Sequence, residues 1–294
     1  MFSKLGLTKF VAHKDRKAMK EKTTTYNNIV TTKPYKIGYA LSGGFIKGFA
    51  HLGVMQALLE HDIKPDIISG VSAGALAGVF YADGNEPHKV VKCFMKHKFT
   101  DLTSWARTTA GLLSLDDFMD FLNTNLKAKK LEDLQIPLIV TATDLDNGKS
   151  VQFRKGDIAR IISASCCMPV LFAPICIDGT HYVDGGVFKN LPVSVIRNDC
   201  EKVIAVNVSP IEAEDYKKNV INIAIRSYQF MFRSNTFYDR ENCDLLIEPY
   251  GLSGYSNREL EKAEEIFEQG YKVGNDILDK LKEEGSIWKK LKLA

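Results

Sequence analysis

The chain has 294 residues, of which 45% are hydrophobic and 26% charged; this is an ordinary globular composition and excludes a disordered, collagenous or multi-spanning membrane chain. Lysine and arginine outnumber aspartate and glutamate by only 39 to 36, so no bulk positive field points to nucleic acid as a partner. The six cysteines form no CxxC pair and no metal-ligand spacing with histidine, so free buried thiols are expected rather than a disulfide framework or a metal site.

Residues 1–34 are basic and threonine-rich, end at Pro34, and read as an arm preceding the folded domain. Their scattered charges interrupt any signal-peptide apolar region, and no later apolar run approaches the roughly 20 residues of a membrane span. The expected location is therefore the cytoplasm. From Lys36 the pattern changes: IGYAL (37–41) is a short apolar strand, SGGFIKG a turn, and FAHLGVMQALLEH a helix apolar on most faces. The unit repeats as DIIS (66–69), the tight turn GVSAG and the small-residue helix ALAGVFYA. Two successive units of this kind imply an α/β fold with a mainly parallel sheet and crossover helices.

Further along, helices are expected near 86–97, 115–126 and 156–165, and strands at 138–142, 150–153, 202–208 and 245–248. Asp178-Gly179, between ICI and HYV, predicts a two-residue hairpin. Residues 257–283 carry apolar positions among many charges and read as an outer amphipathic helix or helix pair. The chain thus divides into the arm, a core over 35–210, and a mostly helical stretch over 211–294 that completes the same domain.

Gly70-Val71-Ser72-Ala73-Gly74 has the GxSxG form, and its place between a strand and a helix is the context of a nucleophile elbow. Gly70 and Gly74 would flank a strained turn that thrusts the Ser72 hydroxyl above the sheet. A glycine-rich turn with a serine N-cap has the same pattern. A nucleophilic serine needs a base. Asp184, in Asp184-Gly185-Gly186 after the strand HYV, can take the hydroxyl proton and return it to the leaving group if it lies within reach of Ser72. Burial would raise its pKa and strengthen it as a base. A histidine triad in the chain order Ser, Asp, His leaves only His181, paired with Asp144 or Asp178. A non-enzymatic lipid binder is the third reading. The loop holding Gly43, Gly44, Phe45, Lys47 and Gly48 can offer backbone N–H groups to an oxyanion. Nucleotide loops fit poorly, because no GK[ST] follows and Phe45 stands where GxGxxG requires glycine.

Together, ALSGGFIKGFAHLGV, GVSAG and DGG resemble the oxyanion loop, nucleophile elbow and catalytic aspartate motif of the patatin-like phospholipase family. ATDLDNGKSVQF, ASCCMPVLFAPI and YVDGGVFKNLPV extend the resemblance in order from about Lys36 to Val208. The resemblance implies a three-layer α/β/α fold and a Ser72–Asp184 dyad without histidine. It also implies hydrolysis of carboxylic esters of (lyso)phospholipids or related acyl lipids through an acyl-enzyme, with no metal or other cofactor. Phe45 departs from the family's usual glycine; its N–H can still donate while its side chain narrows the acyl site. Lys47 takes the family's Arg or Lys position and would brace the loop, and Asn190-Leu191-Pro192 is expected to turn into a helix beneath the site. Lipid substrates lie in interfaces. Phe2, Leu5, Phe10 and Val11 among lysines at one terminus, and SIWKKLKLA at the other, have the composition of interfacial anchors, so peripheral membrane contact is expected.

Overall fold

The computed structural model describes residues 32–106, 110–210, 216, 218–252, 255 and 259–285. In chain order these form β1 (Tyr35–Leu41), a 3-10 turn (Phe45–Gly48), α1 (Phe49–Glu60), β2 (Ile67–Val71), α2 (Ala73–Ala82) and α3 (Pro87–Phe94). Then follow β3 (Ser104–Trp105), β4 (Leu113–Ser114), α4 (Asp116–Asn125), β5 (Leu138–Asp144), β6 (Lys149–Phe153) and α5 (Ile158–Cys166). The remainder comprises β7 (Ile175–Ile177), β8 (Thr180–Asp184), β9 (Cys200–Val206), α6 (Val220–Ser234), α7 (Phe237–Glu241), β10 (Leu245–Ile247) and α8 (Ala263–Glu283).

The main sheet has the order β10-β9-β1-β2-β5-β8-β7, with β6 also paired to β5. Strands β10, β9, β1, β2 and β5 run parallel, while β6, β8 and β7 are antiparallel additions. The parallel strands are covered on both faces, and their period-2 pattern sorts side chains between two cores. Tyr39, Leu41, Ile204 and Val206 join the larger cluster. Ala40, Ile67, Ile139, Val203 and Ala205 face the smaller one with Leu191, Val193 and Ile196.

The helix expected after Pro192 is instead a run of turns. Its bonds, Ile196 N to Val193 O at 3.1 Å and Arg197 N to Val193 O at 2.9 Å, do not propagate. The Ser194 N–H, in the first turn of this run, donates to the Asp239 carboxylate at 2.6 Å. At the other end, α8 is one continuous helix of 21 residues rather than a pair, burying Ile266, Phe267, Val273 and Leu278. The expected hairpin forms, with β7 and β8 joined through Asp178 at φ 49° and Gly179 at φ 81°, the left-handed pair that a two-residue turn between twisted strands requires. The short β3–β4 ladder had no counterpart in the sequence pattern.

All six cysteines are free; Cys167 and Cys200 are buried, whereas Cys176 is exposed, because it projects outward from the edge strand β7. Among the described residues no helix is long and apolar enough to cross a membrane. Residues 1–31 and 286–294, which hold most of the arm and the SIWKKLKLA segment read as anchors, lie outside the described residues.

Candidate active site

Ser72 occupies the single residue between β2 and α2, at φ 51° and ψ −123°. A non-glycine residue pays for that backbone conformation, and it persists only where its surroundings over-determine it. Here they do. A Cβ at Gly70 would press on the Ala75 backbone, and one at Gly74 would strike the carbonyl of Leu41, so strand and helix meet at a distance only glycine permits. The Ser72 N–H donates to Ser165 Oγ at 2.8 Å, and Ser165 Oγ in turn donates to the Thr141 carbonyl at 2.7 Å. The elbow is thereby tied to β5 through α5.

The same strand, β5, places Asp184. Along one edge of β5, β2 pairs as far as Val71 opposite Thr141. From the next residue the pairing passes to β8, with Asp184 opposite Ala142. Strands β2 and β8 therefore run toward each other and end about one residue spacing apart, roughly 3.3 Å along the strand. That abutment brings Ser72 and Asp184 together although 111 positions separate them in the sequence. Asp184 is buried; its N–H donates to the Cys167 carbonyl at 2.8 Å, and its Oδ1 accepts from the Gly186 N–H at 2.8 Å. Burial raises the carboxyl pKa to about 6, against the opposing pull of the Ser72 hydroxyl, the Gly186 N–H and the Tyr228 hydroxyl.

The glycine loop lies beside this pair, since a Cβ at Gly43 would meet Asn190 Oδ1 and approach the Ser72 Cβ. The Gly43 N–H is already spent on the Asn190 carbonyl at 3.1 Å, which removes it from the set of oxyanion donors. Gly44 and Phe45 begin the 3-10 turn, where the first N–H groups have no partner within the turn. Phe45 adopts φ 55°, a glycine-like conformation forced on phenylalanine, and its ring packs on Phe232 at 6.4 Å between centroids. Lys47 is buried on the same turn, and Gly48 packs on Ala73. Ser42, at the loop's root, is held by Val208 N donating to its Oγ at 3.0 Å and by His51 Nε2 2.8 Å from its carbonyl. Burial lowers the His51 pKa to about 4, so its ring is neutral at physiological pH and Nε2 carries the hydrogen that Ser42 O accepts.

A cavity of about 150 Å³ opens beside Ser72, walled chiefly by Phe49, Leu52, Leu76, Phe94 and Phe118. The histidine of the triad alternative stands elsewhere. His181 is exposed and bonds Asp146, Nδ1 to Oδ2 at 3.1 Å. Asp144 closes the turn at Asn147, and Asp178 sits in the β7–β8 hairpin. The sequence pattern pointed to the loop, elbow and DGG motifs but not to the supports: His51 and Tyr228 carried no signal, while Ser165 lay unremarked inside ASCCMPV.

A family model described as patatin-like phospholipase matches residues 39–196, spanning the loop, the elbow and the Asp184 turn. The chain belongs to the patatin-like phospholipase family. Among its patatin-like relatives, an uncharacterized NTE family protein of Mycobacterium tuberculosis is 32% identical over 207 residues, covering 67% of this chain and 58% of that protein. Lysophospholipase nte1 of Aspergillus fumigatus is 26% identical over 291 residues, covering 85% of this chain and 19% of the fungal one. The chain thus spans under two thirds of the mycobacterial relative and about a fifth of the fungal one. VipD from Legionella pneumophila superposes with a TM-score of 0.49 at 17% identity, covering 84% of this chain and 67% of that one.

Proposed function

We propose that this chain is a lipid acyl hydrolase that cleaves carboxylic esters of lysophospholipids or related acyl lipids through a Ser72–Asp184 dyad. The observation that carries this reading is the abutment of β2 and β8 on β5, which sets a strained serine against a buried carboxylate with a raised pKa. Ionised Asp184 accepts the Ser72 proton as Oγ attacks the ester carbonyl. The N–H groups of Gly44 and Phe45, which have no partner within their turn, receive the oxyanion in this reading; a donor of that kind is worth about 3 kcal/mol in the transition state. Collapse of the tetrahedral intermediate expels the alcohol, which takes the proton from Asp184 and leaves an acyl-Ser72 ester. Water, deprotonated by Asp184 as it attacks the acyl carbonyl, forms a second tetrahedral intermediate; its collapse releases the acid, and Asp184 returns the proton to Ser72 Oγ. The apolar cavity beside Ser72 suits an acyl chain. The lysophospholipase named among the relatives supports the choice of lipid esters.

Hydrolysis of p-nitrophenyl butyrate and of a lysophosphatidylcholine by the wild type, Ser72→Ala, Asp184→Asn and His181→Ala tests the reading. Both activities are expected to fall by about 10³-fold or more in the first two variants and to persist in the third. Loss in His181→Ala would move the assignment to a histidine triad.

A further inference from the structure

Helix α6 lies beyond the segment matched by the family model, yet it reaches the reactive pair. Its C-terminal end is pinned to the DGG turn by Asn235, whose Nδ2 donates to the Gly186 carbonyl at 2.8 Å and whose Oδ1 accepts from the Asn190 N–H at 2.8 Å. One turn before that, Phe232 packs against Gly186 and against the Phe45 ring. A further turn back, Tyr228 packs on Phe232 at 5.4 Å between centroids, the rings tilted by 56°. Its side chain is buried, and its hydroxyl completes no hydrogen bond of standard geometry. That hydroxyl faces the Asp184 carboxylate. An orphaned buried hydroxyl is costly and rare, and one aimed at the proposed base calls for an explanation beyond packing.

We infer that Tyr228 is a positioning residue for Asp184: its hydroxyl closes on the carboxylate as a hydrogen-bond donor when the carboxylate is ionised, holding it in the charged form and turned toward Ser72. The inference rests on the dyad proposed above. Catalytic hydrogen bonds of this kind often tighten only when substrate is bound. The charged and titratable groups around Asp184 are few. Tyr228 comes from α6, and Cys166 and Cys167 from the end of α5; burial raises the pKa of all three, so each is neutral at physiological pH. Among them only Tyr228 pulls the Asp184 carboxyl pKa down, beside the Ser72 hydroxyl and the Gly186 N–H. The sign follows: a donor to the ionised form lowers a carboxyl pKa, so removing it pushes the pKa up and narrows the range in which the base is active.

The test is the pH profile of kcat/KM for p-nitrophenyl butyrate in the wild type and Tyr228→Phe, with Ser72→Ala and Asp184→Asn alongside. Tyr228→Phe is expected to move the acid limb up by about one pH unit, giving about fivefold less activity at pH 6 and convergence on the wild type above pH 8. Phenylalanine keeps the ring, so the variant is expected to melt with the wild type at pH 4, where Asp184 is protonated, and somewhat below it at pH 8, where the ionised carboxylate has lost its donor. An acid limb that stays in place overturns the inference, whether activity is unchanged or falls equally at every pH. A lowered melting temperature with an unmoved limb would assign the hydroxyl to structure alone. Activity surviving in Ser72→Ala or Asp184→Asn would overturn the dyad and this role together, whereas their loss beside an unmoved limb overturns only the role.

Discussion

The two groups that meet at the site come from differently built halves of one sheet. Ser72 leaves the parallel half, where β1, β2 and β5 are covered on both faces and backbone crowds the elbow at Gly70 and Gly74. Asp184 leaves the antiparallel half, where β7 and β8 form a hairpin whose outer end is solvent-facing at Cys176 and His181. The serine is therefore held by steric exclusion that local residues supply. The aspartate depends on groups from elsewhere in the chain: the Cys167 carbonyl on its N–H, Thr143 Oγ1 on its carbonyl at 3.0 Å, and α6 above it. Rigidity on one side and electrostatic tuning on the other are different solutions to placing a reactive group.

That contrast is open to direct attack, and the largest effect is expected where backbone leaves no room. Gly74→Ala forces a Cβ onto the Leu41 carbonyl in the middle of the parallel half, and a loss of about 3 kcal/mol or more in urea unfolding is expected, with activity abolished. Gly185→Ala meets the Thr141 carbonyl, but β8 ends there and its hairpin can shift outward, so about 1–2 kcal/mol is expected. Equal losses in the two variants would erase the distinction between the halves.

Asp184 sharpens the electrostatic side. Its pKa is raised on folding from 3.8 to about 6, so the folded state favours the protonated form. Stability from this group is full below about pH 4 and declines until pH passes about 6, where the folded carboxylate is ionised. Asp184→Asn, which removes the buried charge, is thus expected to be more stable than the wild type at pH 7 by up to roughly 3 kcal/mol, and no more stable at pH 4. A melting temperature lower than the wild type's at pH 7 would contradict the buried charge. Wild-type kcat/KM should fall as pH drops through about 6, since the base must be ionised. The smallest effect belongs to the hairpin's outer end. His181→Ala removes a surface pair with Asp146 and is expected to change stability by less than about 0.5 kcal/mol.

Much of this was legible before any coordinates, because the relevant signals are local. GVSAG lies where a strand pattern hands over to a helix pattern, and that handover alone specifies a tight turn with a hydroxyl at its tip. Asp178-Gly179 similarly specified its hairpin, since only left-handed backbone closes a two-residue turn between twisted strands. Where the local pattern misled, a distant group had intervened. The segment after Pro192, expected as a helix, is a run of turns whose Ser194 N–H is held by Asp239, 45 residues away. Gly43 resembled an oxyanion donor until the Asn190 carbonyl was found to occupy its N–H.

The sequence by itself determined the nucleophile and its strained turn, since strand, glycines, serine and helix are consecutive and their sterics need no distant partner. It also singled out Asp184 as an acid at a glycine turn. Only the tertiary structure decided that these two residues meet, because the register of β2 and β8 along β5 depends on pairing between segments remote in the chain. The placement of Tyr228 over Asp184 was likewise a tertiary decision: no periodicity in α6 encodes what its buried face will cover, and the packing of α6 on the DGG turn settles it.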